Sequence, residues 1–274
     1  MNKINTLQNK KLMLKREVRL ALNKNGNMTS GFNSFASRPC PDGLWIPITL
    51  IITGTGIPNQ ETGYLFDIHK VDSLVREKIG NFLYDTYFIS NTNDSPEILI
   101  EKMVSIIRDI FPFSLYSVKW KLSEFHKVTL MEHPMPHLII SESFEFAAAH
   151  RLHCQNMTEV ENKEIFGKCN NLDGHGHNYR LDIDIESPLN SPLERVKIEE
   201  IVHKFVLNDY DHSNLDLSLP DFRDKTSSVE NIASACFNRL ETPINATGSK
   251  LKRVAVWETN KTGCAVEADT CYPS

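Results

Sequence analysis

The sequence has no long apolar run, no paired cysteine motif and no strong charge of either sign. No stretch approaches the roughly 20 apolar residues that span a bilayer, and the polar, basic N-terminal segment lacks the apolar core of a signal peptide. These absences predict a cytoplasmic protein with no membrane partner. The net charge of −5 over 274 residues gives no support for a nucleic-acid partner.

Cysteine is scattered along the sequence rather than paired. No CxxC spacing occurs, so neither a disulfide framework nor a zinc finger is expected. The length allows one large domain or two of ordinary size, and 41% hydrophobic with 24% charged residues is typical of a globular protein. The six cysteines are Cys40, Cys154, Cys169, Cys236, Cys264 and Cys271.

The second half of the chain shows the period-2 alternation of half-buried β-strands. In residues 143–152 the even positions are apolar and lead to His150, whereas in residues 175–186 the odd positions share one face. A helical stripe over residues 193–207 follows, and Ser227 with Glu230 suggests a capping box for a second helix. Residues 251–257 close the unit as a strand.

The first half repeats this order of elements, which predicts a tandem duplication. Tyr84-Asp85-Thr86 parallels Tyr210-Asp211-His212, and Ser95-Pro96-Glu97, with proline at the first helical position, parallels Ser228-Val229-Glu230. The alternative is chance similarity between two unrelated α+β domains. Prolines near 131–137 indicate a join, giving domains 1–134 and 135–274. The predicted strands and helices of the first half are 17–22, 45–53, 67–79, the helix after Ser95, and 117–122.

Three histidines form a candidate metal site in the second half. His175 and His177 are two positions apart on a strand and so point the same way, and His150 ends a neighbouring strand on that face. Three neutral imidazoles suit Zn²⁺ and leave a coordination position open, as a catalytic site requires. Gly174 and Gly176 would let another group approach the strand closely. The alternative for an isolated HxH is a pair of partly buried histidines.

The motifs around these histidines resemble those of 6-pyruvoyltetrahydropterin synthases. They are FEFAAAHRLH at 144–153 and FGKCNNLDGHGHNY at 166–179, followed by DHSNL at 211–215, SVENIA at 228–233 and VWET at 256–259. The likeness covers about residues 141–268 in the family's order. It implies the tunnelling fold, here as an α+β protein of two tandem domains. Each would be a four-stranded antiparallel sheet with two helices on one face.

The resemblance also implies a reaction and a set of site residues. The family binds zinc through histidines that match His150, His175 and His177, and it converts 7,8-dihydroneopterin triphosphate into 6-pyruvoyltetrahydropterin with release of triphosphate. Cys169 matches the family's base, although a fourth zinc ligand is an alternative reading. The family's proton-relay pair is matched by Asp211 and His212, which in isolation would read as a turn, and its pterin anchor by Glu258, which in isolation would read as an exposed strand carboxylate.

The sequence departs from the family's pattern in several places. The link at 187–192 is short, and Val229 stands where a threonine is usual at the pterin pocket. In the first half no histidine precedes His69, Thr86 replaces the relay histidine, and Cys40 has no metal-ligating residue beside it, so this half is expected to be structural. Because the family builds active sites between subunits, a homo-oligomer is expected, with a homotrimer as the hypothesis.

Other interpretations of the function remain open. 6-Carboxytetrahydropterin synthase, on the route to deazaguanine nucleosides such as queuosine, uses the same substrate and releases acetaldehyde. The five residues between Cys169 and His175 favour the pyruvoyl enzyme. Aldol cleavage of dihydroneopterin lacks its usual glutamate here, and a non-catalytic pterin-binding protein is a further alternative. Arg151 and Lys168 are candidate contacts for the triphosphate.

Overall fold

The computed structural model describes residues 11–23, 26–28, 32–33, 38–39, 43–92, 94–111 and 114–268. Contacts between Cα atoms divide the protein into Met1–Ile139 and Ile140–Ser274, called unit 1 and unit 2 below. The boundary predicted after residue 134 lies a few residues before this division. Within the described residues no helix is long and apolar enough to cross a membrane.

Unit 1 is an antiparallel sheet with two long helices in the connection between its second and third main strands. The sheet order is β7-β6-β5-β1-β2, and β3 pairs with β4 separately. The elements are β1 (Leu12–Asn23), β2 (Gly26–Met28), β3 (Phe32–Asn33), β4 (Arg38–Pro39), β5 (Ile46–Gly56), α1 (Ile68–Tyr84), α2 (Pro96–Ile110), β6 (Ser114–Lys121) and β7 (His126–Met131).

The helices of unit 1 begin where the sequence predicts. The Asp67 carboxylate accepts hydrogen bonds from the backbone N–H groups of His69 and Lys70, which caps α1. Pro96 is the first residue of α2, where a missing N–H costs nothing. The stripe of α1 includes the buried Val71 and Val75, but this helix continues well beyond the predicted end, and a π-helical turn follows it.

Unit 2 has a sheet in the order β12-β11-β9-β8, with the short β10 pairing in parallel with β8. Helix α7 packs on β11 and β12, and α4 packs on α7. The elements are β8 (His137–His150), α3 (Glu159–Phe166), β9 (His175–Ser187), α4 (Arg195–Val202), α5 (Asn208–Tyr210), β10 (Ser213–Asn214), α6 (Leu215–Ser218), α7 (Val229–Asn245), β11 (Lys250–Thr259) and β12 (Thr262–Glu267).

The alternation predicted for the two histidine-bearing strands is confirmed. In β8 the buried positions include Phe146, Ala148 and His150, and in β9 the odd positions from Tyr179 onward are buried. The opposite face of β9 is polar and held by specific contacts: Arg180 lies 5.1 Å from the centre of the Trp257 ring, whose indole N–H donates to Asp182 at 3.0 Å. One face of the sheet therefore forms the core that supports the site.

Several local predictions for unit 2 need correction. The helix expected over 193–207 is α-helical only from Arg195 to Val202, and a π-helical turn, His203–Leu207, joins it to α5. Ser228 rather than Ser227 caps α7, because the Ser228 hydroxyl accepts from the Asn231 N–H while Ser227 is buried. The strands β7 and β12 and the helix α3 were not predicted individually.

The short link between β9 and α4 is closed by hydroxyl groups. Ser187 is buried, and its Oγ accepts the Leu193 N–H at 2.8 Å and the Ser249 hydroxyl at 3.2 Å. Cys154, Cys169, Cys236 and Cys264 are free thiols, whereas Cys40 and Cys271 lie outside the described residues.

Candidate active site and metal centre

Three adjacent strands bring four ligand-type side chains together at one end of the unit 2 sheet. The central strand β9 carries His175 and His177, its neighbour β8 ends with His150, and Glu258 lies near the end of β11 on the other side. One ligand atom from each of these side chains lies within 4.8 Å of the others. The three histidines predicted to bind a metal therefore converge. Glu258, which the sequence predicts to anchor the pterin, lies in the same group.

Short contacts define the centre of this cluster. The Nε2 atoms of His150 and His175 are 3.0 Å apart. The Glu258 Oε1 atom is 3.2 Å from His150 Nε2 and 3.1 Å from His177 Nε2. All three imidazoles thus turn the same nitrogen toward a shared point, with one carboxylate oxygen beside it.

The tautomer of His150 is fixed by a backbone contact. Its Nδ1 lies 2.7 Å from the carbonyl oxygen of Ser227, so Nδ1–H donates there and Nε2 presents a lone pair to the cluster. The His177 Nε2 atom is buried and makes no hydrogen bond among the described residues, although the Glu258 Oε1 atom is 3.1 Å away. A divalent cation would satisfy the converging lone pairs, so the donor set fits a metal.

Burial keeps the strand histidines neutral. It lowers the pKa of His175, and the neighbouring His150 and His177 lower it further against the opposing effect of Glu258. Burial also lowers the pKa of His177, where the Glu258 charge is the main opposing influence. Neutral imidazole is the form that binds a metal, so no large deprotonation cost accompanies ligation near neutral pH.

Glycine at position 174 allows the close approach of β9 to the end of β8. Gly174 has φ of +68°, and a Cβ built there would lie 2.8 Å from the His150 carbonyl oxygen. The same construction at Gly176 gives an ordinary contact of 3.6 Å with the Ala148 oxygen. The prediction of a close approach is therefore confirmed at Gly174, and Gly176 does not require it.

Asp211 and His212 are fastened to the edge of β8. The Ala147 N–H donates to Asp211 Oδ1 at 2.8 Å, and Ala147 accepts the His212 N–H at 2.6 Å. The other Asp211 oxygen lies 2.9 Å from His212 Nδ1, and the His212 side chain is 83% exposed. The Ala147 N–H is the main cause that lowers the pKa of Asp211, with His212 adding to it. The carboxylate is thus ionised and orients the imidazole.

Cys169 lies outside the four-residue cluster. It belongs to a 3₁₀ turn, Gly167–Asn170, and its carbonyl oxygen accepts the Leu152 N–H at 2.9 Å, which ties this turn to the segment just after His150. The thiol is partly exposed. The structure therefore places Cys169 on a segment anchored beside the cluster and does not include it among the converging ligand atoms.

Two depressions adjoin these residues. An open one of about 580 Å³ is lined by both His177 and His212, so strand β9 and the segment that carries Asp211 and His212 share a surface. A more enclosed cavity of about 610 Å³ is lined by Arg151, Gly174 and Thr226 among others. His153 and Cys154 also line it, although neither is among the site residues that the sequence predicts.

Comparison with known proteins supports the kinship that these motifs indicate. The family model for 6-pyruvoyl tetrahydropterin synthase matches residues 139–269. Human 6-pyruvoyl tetrahydrobiopterin synthase is 31% identical over 125 residues, covering 44% of this chain and 85% of the human protein. The Drosophila melanogaster protein of the same name is 33% identical over 120 residues, covering 42% and 71%.

The solved structure of Caenorhabditis elegans 6-pyruvoyl tetrahydropterin synthase is 32% identical and superposes with a TM-score of 0.46. The match covers 49% of this protein and 98% of the worm protein. The family model leaves residues 1–138 unmatched, so the match falls almost wholly in unit 2. The extent and identity of the human match place this protein in the 6-pyruvoyl tetrahydropterin synthase family.

Proposed function

We propose that this protein is a carbon–oxygen lyase that converts 7,8-dihydroneopterin triphosphate into 6-pyruvoyltetrahydropterin, with release of triphosphate and with zinc as its metal. The observation that carries the proposal is the convergence of His150, His175 and His177 at one end of the unit 2 sheet. It occurs in a protein whose relatives bear the name of this synthase.

The three histidines would hold the zinc, and Glu258 would anchor the pterin ring. Zinc supplies Lewis-acid withdrawal of charge from substrate hydroxyl oxygens, which acidifies the neighbouring C–H bonds. A carboxylate can accept two hydrogen bonds from the N–H edge of an aminopyrimidinone, so Glu258 suits the anchoring role. The histidine trio supports zinc over oxygen-preferring cations, because imidazole nitrogen is a favoured zinc ligand.

The remaining residues would handle protons. The Cys169 thiolate is the proposed base for a proton bound to a carbon of the substrate's hydroxylated tail. Loss of triphosphate with the C–O bonding pair and of a proton from the adjacent carbon would give an enol that becomes one side-chain ketone. Oxidation of the other hydroxyl-bearing carbon would be balanced by reduction of the ring C6=N5 bond, so no external oxidant is needed. At His212 the Nδ1 atom faces Asp211, which leaves Nε2 as the atom that gives or takes a proton.

The test is product identification. Zinc-loaded protein is incubated with 7,8-dihydroneopterin triphosphate, and the products are analysed by mass spectrometry with a parallel acetaldehyde assay. A pyruvoyl product without acetaldehyde is expected. A carboxy product with acetaldehyde would move the assignment to 6-carboxytetrahydropterin synthase, and pterin binding without turnover would identify a binding protein.

Replacement of Cys169 separates catalysis from binding. Cys169→Ala is expected to lower turnover by about two to four orders of magnitude, the usual contribution of a general base. Zinc content and pterin affinity should stay close to wild type, since Cys169 is not among the converging ligand atoms. Undiminished turnover in this variant would remove Cys169 from the mechanism.

Unit 1 is proposed to be a duplicated copy that has kept the fold and lost the chemistry. Its strand order β7-β6-β5-β1 follows the same sequence order as β12-β11-β9-β8 in unit 2, with the helices in the same connection. At the position matched to His212, the Thr86 hydroxyl donates to the Phe82 carbonyl oxygen of the preceding helix α1 at 2.8 Å. That arrangement supports a structural role for unit 1.

The proposed assembly is a homotrimer in which a site draws Cys169 from one unit 2 and Asp211 with His212 from the unit 2 of a neighbouring copy. The high exposure of His212 supports this arrangement, because a relay residue must be covered during catalysis. A native mass of three copies is expected. A stable monomer would contradict the assembly and leave the metal cluster as described.

A further inference from the structure

The 610 Å³ cavity of unit 2 lies directly beside the cluster formed by His150, His175, His177 and Glu258. Three of its lining residues are sequence neighbours of residues that build the cluster: Arg151 follows His150, Gly174 precedes His175, and Thr226 precedes Ser227, the partner of His150. Its size falls within the roughly 300–1,000 Å³ of small-molecule sites. A ligand in this cavity would therefore lie next to the cluster.

Two cations on the wall of this cavity have no carboxylate partner in the described part of the protein. Arg223 and Lys225 both line it, both are exposed, and neither lies within 4.0 Å of an acidic oxygen. Arg239, by contrast, is fully engaged by Asp209 and Asp221. The unpaired charges are thus free to meet an anionic ligand.

Arg151 adds a third cation whose position is fixed. Its Nε donates to the Asn170 carbonyl oxygen at 3.1 Å, and its Nη2 lies 3.8 Å from Glu159, which is largely exposed. Two carboxylates also line the cavity, Asp216 and Asp224. One Asp216 oxygen already accepts the Arg151 backbone N–H at 2.6 Å. Cations therefore outnumber carboxylates in a protein whose overall charge is negative.

We propose that Arg223 and Lys225, with Arg151, hold the triphosphate group of the substrate in this cavity, an inference that rests on the proposed function. A polyphosphate offers several acceptor oxygens along an extended group, which suits several separated N–H donors rather than one. The Arg223 guanidinium can bind two of these oxygens at once, whereas Lys225 acts as a point charge. Lys168 does not line the cavity.

This placement predicts a binding effect rather than a chemical one. Contacts to the triphosphate form in the ground state and remain until the group leaves, so their loss raises KM more than it lowers kcat. Arg223→Gln and Lys225→Gln should each raise KM roughly tenfold, since hydrogen bonds to charged groups are the strong ones. Lys250→Gln, the same substitution at the far end of β11 from Glu258, is the matched control and should leave KM unchanged.

The direct test is calorimetric binding of inorganic tripolyphosphate to the full-length, zinc-loaded protein. Zinc content is measured after each titration, because tripolyphosphate itself binds divalent cations. Weaker binding in both Gln variants, with wild-type binding in Lys250→Gln and unchanged affinity for unphosphorylated dihydroneopterin, would support the subsite. Wild-type tripolyphosphate binding and KM in both variants would overturn it.

The outcomes for subsite and function are separable. If the wild type turns the substrate over and the Gln variants match it in KM, the subsite is wrong and the proposed function stands. If the wild type gives no product but binds tripolyphosphate through Arg223 and Lys225, the anion site stands while the proposed function fails.

Discussion

At the scale of single residues, the position of Glu258 is compatible with two different roles. Its carboxylate lies within 3.2 Å of two imidazole nitrogens that would otherwise face a metal, and this geometry suits either a fourth ligand or an anchor for the pterin beside the metal. The sequence predicts only the anchor. A fourth ligand would be needed to retain the metal, whereas a pterin anchor would be needed only to bind substrate. One substitution at Glu258 can therefore separate the two roles.

Glu258→Gln is expected to keep zinc and lose catalytic efficiency. Three histidine ligands would suffice to hold zinc in the proposed site, so zinc measured by elemental analysis should stay near wild type. The kcat/KM should fall by about a hundredfold, because the charge-assisted bonds to the pterin are lost. His177→Ala is the contrasting control and should lose the metal. Loss of zinc in Glu258→Gln would instead make Glu258 a ligand.

Asp211 predicts a specific dependence of stability on pH. Its pKa is lowered in the folded protein, chiefly by the Ala147 N–H, so ionised Asp211 favours folding. This contribution is fully present above the ordinary aspartate pKa of about 3.9 and is lost as the pH falls through the lower folded pKa.

Urea unfolding of wild type and Asp211→Asn between pH 7 and pH 3 measures this effect. The stability advantage of the wild type should be constant at neutral pH and shrink toward the acid end. An advantage that grows as the pH falls would contradict the assigned cause. Glu145→Gln, an exposed carboxylate on the same strand as Ala147, serves as the control.

At the scale of elements, the start of β9 depends on a glycine. Gly174→Ala places a methyl group 2.8 Å from the His150 carbonyl and also strains a positive φ, whereas Gly248→Ala meets only the strain, because nothing lies within 4 Å there. Gly248→Ala should cost about 1 kcal/mol. Gly174→Ala should cost about 1–3 kcal/mol more and weaken zinc binding. If the two variants lose the same unfolding free energy, local movement relieves the clash at position 174.

Helix α7 is joined to the segment before the relay pair through Arg239. This guanidinium donates to Asp221 and Asp209 and to the Phe205 carbonyl oxygen at 3.0 Å, and it lies 5.0 Å from the centre of the buried Tyr210 ring. The contacts fix the turn that delivers Asp211 and His212 to the edge of β8.

Arg239→Gln is therefore expected to lower both stability and kcat. Breaking the partly buried pair with Asp221 leaves its carboxylate uncompensated and costs about 1–3 kcal/mol, measured by urea unfolding. Lys197→Gln, which removes an exposed pair with Glu200, should cost less than about 0.5 kcal/mol. Recovery of kcat in Arg239→Lys would assign the loss to positioning. Unchanged stability in Arg239→Gln would show that these ion pairs contribute little.

The sequence predicts the elements whose pattern is local. The strands β8 and β9 and the start of α2 follow from alternation and capping chemistry. It misses β12, a short strand whose alternation is limited to the partly buried Cys264 and Val266, and it misses the π-helical turn after Val202. Both depend on packing that local propensity does not encode.

The candidate site likewise combines features that follow from local sequence with contacts between residues far apart in the sequence. The shared direction of His175 and His177 follows from strand geometry alone. The Ser227 carbonyl that orients His150, however, comes from 77 residues away, and Arg223 and Lys225 of the cavity come from a loop without a recognisable motif. Glu258 could have been placed beside the histidines from its alternation with the buried Val254 and Val256.

At the scale of the whole molecule, the proposed trimer predicts complementation between inactive variants. The Cys169→Ala and His212→Ala proteins are unfolded together and refolded as a mixture. If each site takes these residues from different copies, about a quarter of the sites in a random 1:1 mixture regain both groups. Recovery to roughly that fraction of wild-type turnover is expected. No recovery in verified mixed oligomers would place both residues in one copy.

Helix α7 connects the metal ligands to the surface on which a neighbouring copy would settle. The residue just before its cap holds His150 through a carbonyl oxygen, while Arg239, further along the same helix, holds the turn that carries His212. The helix therefore links His150 at its N-terminal end to the turn that carries the exposed His212 imidazole. In the proposed assembly, a neighbouring copy that binds against His212 and stabilises this helix would tighten zinc binding, because linkage is reciprocal. Zinc-loaded protein would in turn assemble at lower concentration than the metal-free form.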